Sequence, residues 1–87
     1  MNINIADLKK KIIYRSTYRG TKEMDCLLTS FTKKYVNDFN DKELFLLYKL
    51  LDIDDDNLYK FNLNKPIPIQ IEANKVTELF KNFKLKD

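Results

Sequence analysis

Residues 20–35 read Gly20-Thr21-Lys22-Glu23-Met24-Asp25-Cys26-Leu27-Leu28-Thr29-Ser30-Phe31-Thr32-Lys33-Lys34-Tyr35. Met24, Leu27, Leu28, Phe31 and Tyr35 fall at i, i+3, i+4, i+7 and i+11, which puts them on one face of an α-helix and the charged residues on the other. Gly20 breaks the pattern at its start, and Thr21 is placed to cap this helix. The rest of the chain repeats this design. Upstream, Ile5, Leu8 and Ile12 make a helical stripe. Downstream, Leu44, Leu47, Tyr48 and Leu51 make another, and Val76, Leu79, Phe80 and Phe83 make the last.

The punctuation agrees with that division. Asn40 with Glu43 three residues later forms a capping-box pattern. Asp54-Asp55-Asp56 places negative charge where a short helix over Leu58 to Phe61 would begin. Lys65-Pro66-Ile67-Pro68 must be extended. Ile67 to Ile71 alternates like a strand, but with no partner strand it is read as linker or helix start. The expected fold is therefore all-α, a compact bundle of four to five short helices. One domain is expected over 1–87, with its core at about 5–83 and a short Lys-rich C-terminal tail. Eighty-seven residues suffice for one domain, and a domain of this size buries only roughly 60–65% of its unfolded surface, leaving little for a deep cleft.

Composition narrows the chemistry. The net charge is +3, with 44% hydrophobic and 33% charged residues, and five Tyr and six Phe argue against disorder. There is no His, so the commonest general base and metal ligand is missing. An enzyme is not expected. Cys26, the single cysteine, forms no internal disulfide. It sits beside the second stripe with Asp25 next to it, and it reads as a small buried hydrophobe. Asp52, Asp54 and Asp56 alternate as in a calcium loop, but Asn57 stands where Gly is needed and Leu63 where a bidentate Glu is needed, so no metal site is expected. No apolar run is long enough to span a bilayer. Met1 to Asp7 reads neither as a secretory signal nor as an Arg-rich presequence, so a bacterial cytoplasm is the expected compartment, with a processed organelle protein as the alternative.

Basic residues are unevenly chosen: only Arg15 and Arg19 are Arg among sixteen Lys and Arg. Where Lys supplies charge so freely, Arg is expected where its planar fork matters. Lys9, Lys10, Lys11, Tyr14, Arg15, Tyr18 and Arg19 could serve nucleic acid, with Lys11, Arg15 and Arg19 at i, i+4 spacing. The preferred reading is a solvated face, because a chain at +3 is a poor generic nucleic-acid binder. The sharpest local signal is Arg19-Gly20-Thr21-Lys22-Glu23-Met24-Asp25. Its glycine is the only one in the chain and fits a junction needing a positive φ or a close approach. A cation near a helix start is disfavoured by the dipole, and Glu23 could reach back to Arg19. The same residues can be read as a junction turn with a local ion pair.

Tyr14 to Asp25 resembles the signature of the succinate dehydrogenase assembly factors known as flavinators. That signature is Arg-Gly, two variable residues and Glu, with Asp close behind; Arg19, Gly20, Glu23 and Asp25 occupy it. Leu27 or Leu28, Phe31, a Leu-rich helix from Glu43 to Leu51 and an acidic turn leading into Leu58 come next, in the family's order. The resemblance covers roughly residues 5 to 62. Phe61 stands near the family's usual Trp, and Asn57 replaces its usual Asp. The resemblance implies a chaperone-like role: binding the flavoprotein subunit of succinate dehydrogenase, or of fumarate reductase, and favouring covalent attachment of FAD to one of its histidines. It implies no tightly bound cofactor and no membrane or nucleic-acid partner. Arg19, Gly20 and Glu23 would face the flavoprotein, with Arg15 and Asp25 second in rank. The alternative function is a small basic nucleic-acid-binding regulator using Lys9 to Arg19.

Overall fold

Each helix begins where a side chain replaces the missing preceding turn. The computed structural model describes residues 4–17 and 19–85. Tyr18, the start of the chain and the last two residues of the Lys-rich tail lie outside them. Among the described residues five helices are present: α1 (Ile5–Thr17), α2 (Lys22–Tyr35), α3 (Asp41–Leu50), α4 (Asp55–Asn62) and α5 (Lys75–Asn82). The Thr21 hydroxyl accepts from the Met24 N–H, and the Asp54 carboxylate from the Asn57 N–H. Asn40 and Glu43 close a full capping box, each side chain accepting from the other's backbone N–H at 2.9 Å. A second box, which the sequence pattern did not lead one to expect, joins Asn74 to Thr77 in the same reciprocal way. It fixes where α5 starts and so assigns Ile67 to Ile71 to the linker. At the other end of α4, Asn64 adopts φ 61°, and the Lys65 N–H reaches back to the Lys60 carbonyl at 2.9 Å. This is a left-handed cap of the kind Asn tolerates.

All four stripes face inward. Ile12, Leu28, Phe31, Leu47, Leu58 and Phe80 are fully buried, and each large apolar side chain so buried contributes about 1.5–3 kcal/mol. Phe31 is the hub. Its ring meets Phe80 edge-on at 5.3 Å and Phe83 at 5.4 Å, joining α2 to the end of α5. The closely packed pairs are α1 with α2, α3 with α5, α1 with α3 and α4 with α5. The Cα radius of gyration is 12.4 Å, close to the ~12 Å that a compact chain of this length should have. Among the described residues there is no strand, and no helix is long and apolar enough to cross a membrane.

Four polar side chains are buried among the described residues, Ser16, Thr32, Asn62 and Thr77, and two of them show different outcomes. Asn62, at the end of α4, donates through Nδ2 to the Phe80 and Phe83 carbonyls at 2.8 Å each, satisfying the end of α5. The Lys84 ammonium closes the joint by donating to the Asn62 carbonyl. Thr32 Oγ1, in α2, has no hydrogen-bond partner among the described residues.

Candidate functional site

Helix α1 ends at Thr17, so Arg19 leaves the helical path and turns back under the chain. Its guanidinium is matched along its whole length. Nε donates to Asp55 Oδ1 at 2.7 Å. Nη1 donates to the Arg15 and Leu51 carbonyls at 3.1 and 3.3 Å. Nη2 donates to the Ile53 carbonyl at 3.1 Å. Only 11% of the Arg19 side chain is exposed. The other oxygen of Asp55 accepts from the Gly20 N–H at 2.6 Å. One carboxylate thus holds the side chain of residue 19 and the backbone of residue 20 together.

These contacts change three readings of the sequence. The local ion pair of Arg19 with Glu23 is not formed; Arg19 instead pairs with Asp55 across the fold. A fixed charge at the start of α4, with the Ile53 carbonyl beside it, offers the fork better geometry than a side chain four residues on. Gly20 does not have a positive φ. It is required by close approach instead, since a Cβ there would meet Asp55 Oδ2 at 3.1 Å. Finally, Lys11, Arg15 and Arg19 do not form one solvated face. Arg15 Nη2 donates to the Leu51 carbonyl at 3.1 Å and to Asp52 at 2.5 Å, with its guanidinium 4.9 Å from the centre of the Tyr48 ring. Burial works against the Arg15 charge, but the hydrogen bond and charge of Asp52 more than offset this and raise its pKa. Lys10 and Lys11 remain exposed.

The acids that alternated like a calcium loop have separate tasks. Asp52 pairs with Arg15, Asp54 caps α4, and Asp56 pairs with Lys60 at 3.1 Å. The Asn57 side chain and N–H hold the Asp54 carboxyl below its usual range. Asp25 accepts from the Thr29 hydroxyl at 3.2 Å within α2.

Glu23 stands apart. It is exposed, and among the described residues no hydrogen bond or ion pair reaches it. It projects at the meeting point of two shallow depressions that run between α2 and α4. One, about 560 Å³, is lined by Gly20, Thr21, Glu23, Met24, Asp55 and Tyr59, among others. The other, about 450 Å³, continues past Glu23, Cys26, Tyr59 and Leu63 to Leu85. Helices α2 and α4 face each other across this groove instead of packing closely. Tyr59, Leu63 and Leu85 are 41, 39 and 45% exposed, which makes an apolar floor available at the surface. Cys26 is exposed as well, contrary to the buried hydrophobe expected. It lies one position off the Met24, Leu27, Leu28, Phe31 stripe and lines the groove between α2 and α4.

Of the five candidate residues, Arg19, Gly20 and Glu23 lie at or beside one end of the groove. Arg15 braces the junction from behind, and Asp25 is held within α2. Sequence reasoning missed Asp55 and Tyr59. The available signal for Asp55 was surplus: Asp54 alone suffices as the cap, so a second acid at the helix start had no local task.

Comparison with known proteins adds an independent line. A family model described as "Flavinator of succinate dehydrogenase" matches residues 10–84. The chain is similar to proteins named succinate dehydrogenase assembly factor 2, mitochondrial. That of Scheffersomyces stipitis is 32% identical over 77 residues, covering 84% of this chain and 52% of the relative. That of Drosophila virilis is 35% identical over 72 residues, covering 79% and 46%. That of Mycosarcoma maydis is 42% identical over 59 residues, covering 67% and 25%. The chain spans about half the length of the first two of these relatives. No solved structure matches.

Proposed function

The chain belongs to the family of flavinators of succinate dehydrogenase, and on that premise we propose that it is an assembly factor that binds the flavoprotein subunit of succinate dehydrogenase, or of the related fumarate reductase, and promotes covalent attachment of FAD there. The observation that supports this most is the placing of the signature. Gly20 and Glu23 line one open, apolar-floored groove, Arg19 is bonded to Asp55 beneath its end, and the Glu23 side chain has no partner among the described residues. A carboxylate beside exposed Tyr59 and Leu63 suits a protein partner that brings both a hydrogen-bond donor and an apolar side chain.

In this reading the roles divide. Glu23 contacts the flavoprotein, Arg19 and Gly20 shape the surface from within, and Arg15 and Asp25 support them. The chain contributes no nucleophile or base, and FAD belongs to the partner rather than being held tightly here. The compartment proposed is a bacterial cytoplasm; the named relatives are mitochondrial proteins.

The test is direct. Apo flavoprotein subunit and FAD are incubated with and without this protein, separated on a denaturing gel and read by in-gel flavin fluorescence. Faster or greater labelling with the protein present is the expected result. Glu23→Ala should abolish the stimulation while helix content by circular dichroism is unchanged. Full stimulation by Glu23→Ala would remove Glu23 from the interface. No stimulation by the native chain with a matched partner would overturn the function itself.

A further inference from the structure

Neither the family signature nor the spacing of residues along the chain gives Asp55 a part in the docking surface. We infer that Asp55 is a positioning residue for the groove, and that Gly20 serves the partner through Asp55 rather than by direct contact. The identity of the partner rests on the assembly-factor reading; the positioning role rests on geometry within the chain. Asp55 is the first residue of α4, and its two oxygens take up the Arg19 Nε at 2.7 Å and the Gly20 N–H at 2.6 Å. Its side chain is 22% exposed, so water competes weakly for those bonds. Helices α2 and α4 form the two walls of the groove without packing closely on each other. The start of α4 is fastened to the residues leading into α2 by this carboxylate.

Particular side chains feel the effect. Tyr59 is four residues beyond Asp55 and Glu23 three beyond Gly20, so each sits within about one helical turn of the clamp. The separation between the tyrosine on one wall and the carboxylate on the other is therefore set by bonds that neither residue makes. A methyl group at residue 20 would press on Asp55 Oδ2 and disturb the same joint from the other side. The signature glycine then needs no partner backbone to explain it.

A double-mutant cycle separates the two roles of Gly20. Affinity of the full chain for the apo flavoprotein subunit is measured for wild type, Gly20→Ala, Asp55→Ala and the double variant. Asp55→Ala and Gly20→Ala should each weaken binding about tenfold or more, and the double variant should bind no worse than Asp55→Ala alone, because the added methyl then has nothing to displace. Additive losses would mean that Gly20 meets the partner directly, and wild-type affinity for Asp55→Ala would remove the positioning role; either result overturns the inference. If Asp55→Ala does not fold, Asp55→Asn replaces it. Asparagine keeps the size and one acceptor oxygen but turns an NH₂ group toward one of the two donors, so the same binding loss is expected.

A second arm needs no partner. In the free protein, the Gly20 amide should be protected from hydrogen exchange, and Asp55→Ala should remove that protection and shift the Tyr59 and Glu23 resonances. Unchanged Tyr59 and Glu23 resonances would overturn the inference. Failure of the wild-type chain to bind any flavoprotein would instead remove the functional reading and leave this arm to decide the positioning role.

Discussion

Arg19 makes four hydrogen bonds from one planar fork, to a carboxylate and three backbone carbonyls from two separate segments. A lysine ammonium could satisfy at most part of that fan from a single point. Both arginines of the chain share the Leu51 carbonyl as an acceptor, so the expectation that Arg is kept where its fork matters holds for each. Thr32 shows the opposite condition, a buried hydroxyl with nothing to bond to among the described residues. Leaving such a group unsatisfied costs about 1–3 kcal/mol. Thr32→Val keeps the shape and removes the orphan, so it should leave stability unchanged or raise it by up to about 1 kcal/mol, read from denaturant unfolding midpoints. A loss of more than that would show that the hydroxyl has a partner.

Among the elements, the helices were legible in the sequence because their signals are local. An apolar stripe and the cap before it lie within one stretch of chain, as Thr21 and Met24 to Tyr35 or Asn40 and Glu43 illustrate. The signature segment was legible in the same way. Facts that depend on which helix faces which could not be read. Cys26 is exposed because α2 and α4 stand apart, and Asp55 matters because α4 begins beside Gly20; spacing along one element implies neither. Asn62 belongs with these, since its two acceptors lie 18 and 21 residues away on the end of α5. Asn62→Asp places a carboxylate against those two carbonyls with no proton to donate. Thermal unfolding should show a loss of about 3 kcal/mol or more at neutral pH. Partial recovery is expected on acidification, because a protonated carboxyl can donate once. Asn62→Asp with native stability would mean that the two Asn62 hydrogen bonds do not hold α5 in place.

At the scale of the whole molecule, α3 and α5 are joined by charge as well as packing. Lys75, at the first position of α5, pairs with Glu43 of α3 at 2.7 Å. The Lys75 hydrogen bond and, after it, that of the Asn40 N–H hold the Glu43 carboxyl below its ordinary pKa. A carboxyl with a depressed folded-state pKa stabilises the fold above its unfolded pKa, and that contribution is lost as pH falls through the lowered value. Unfolding midpoints tracked from about pH 6 down to about pH 2 should therefore fall, and fall less steeply in Glu43→Gln. Equal slopes for the two proteins would show that Glu43 contributes nothing to the acid limb.

The clamp also has a place in time. Its partners are 36 residues apart in the chain, whereas the contacts of α1 with α2 span a short turn. Long loops close late, after local helices have formed and docked. Bonds absent from the folding transition state govern how fast the native state opens, not how fast it forms. Arg19→Lys should accordingly speed unfolding while changing the folding rate by less than about twofold in stopped-flow measurements. If the clamp closes on this schedule, the groove is completed only after the first helices have docked, and a partner that reads the groove would meet finished copies, so that maturity itself would become part of the recognition.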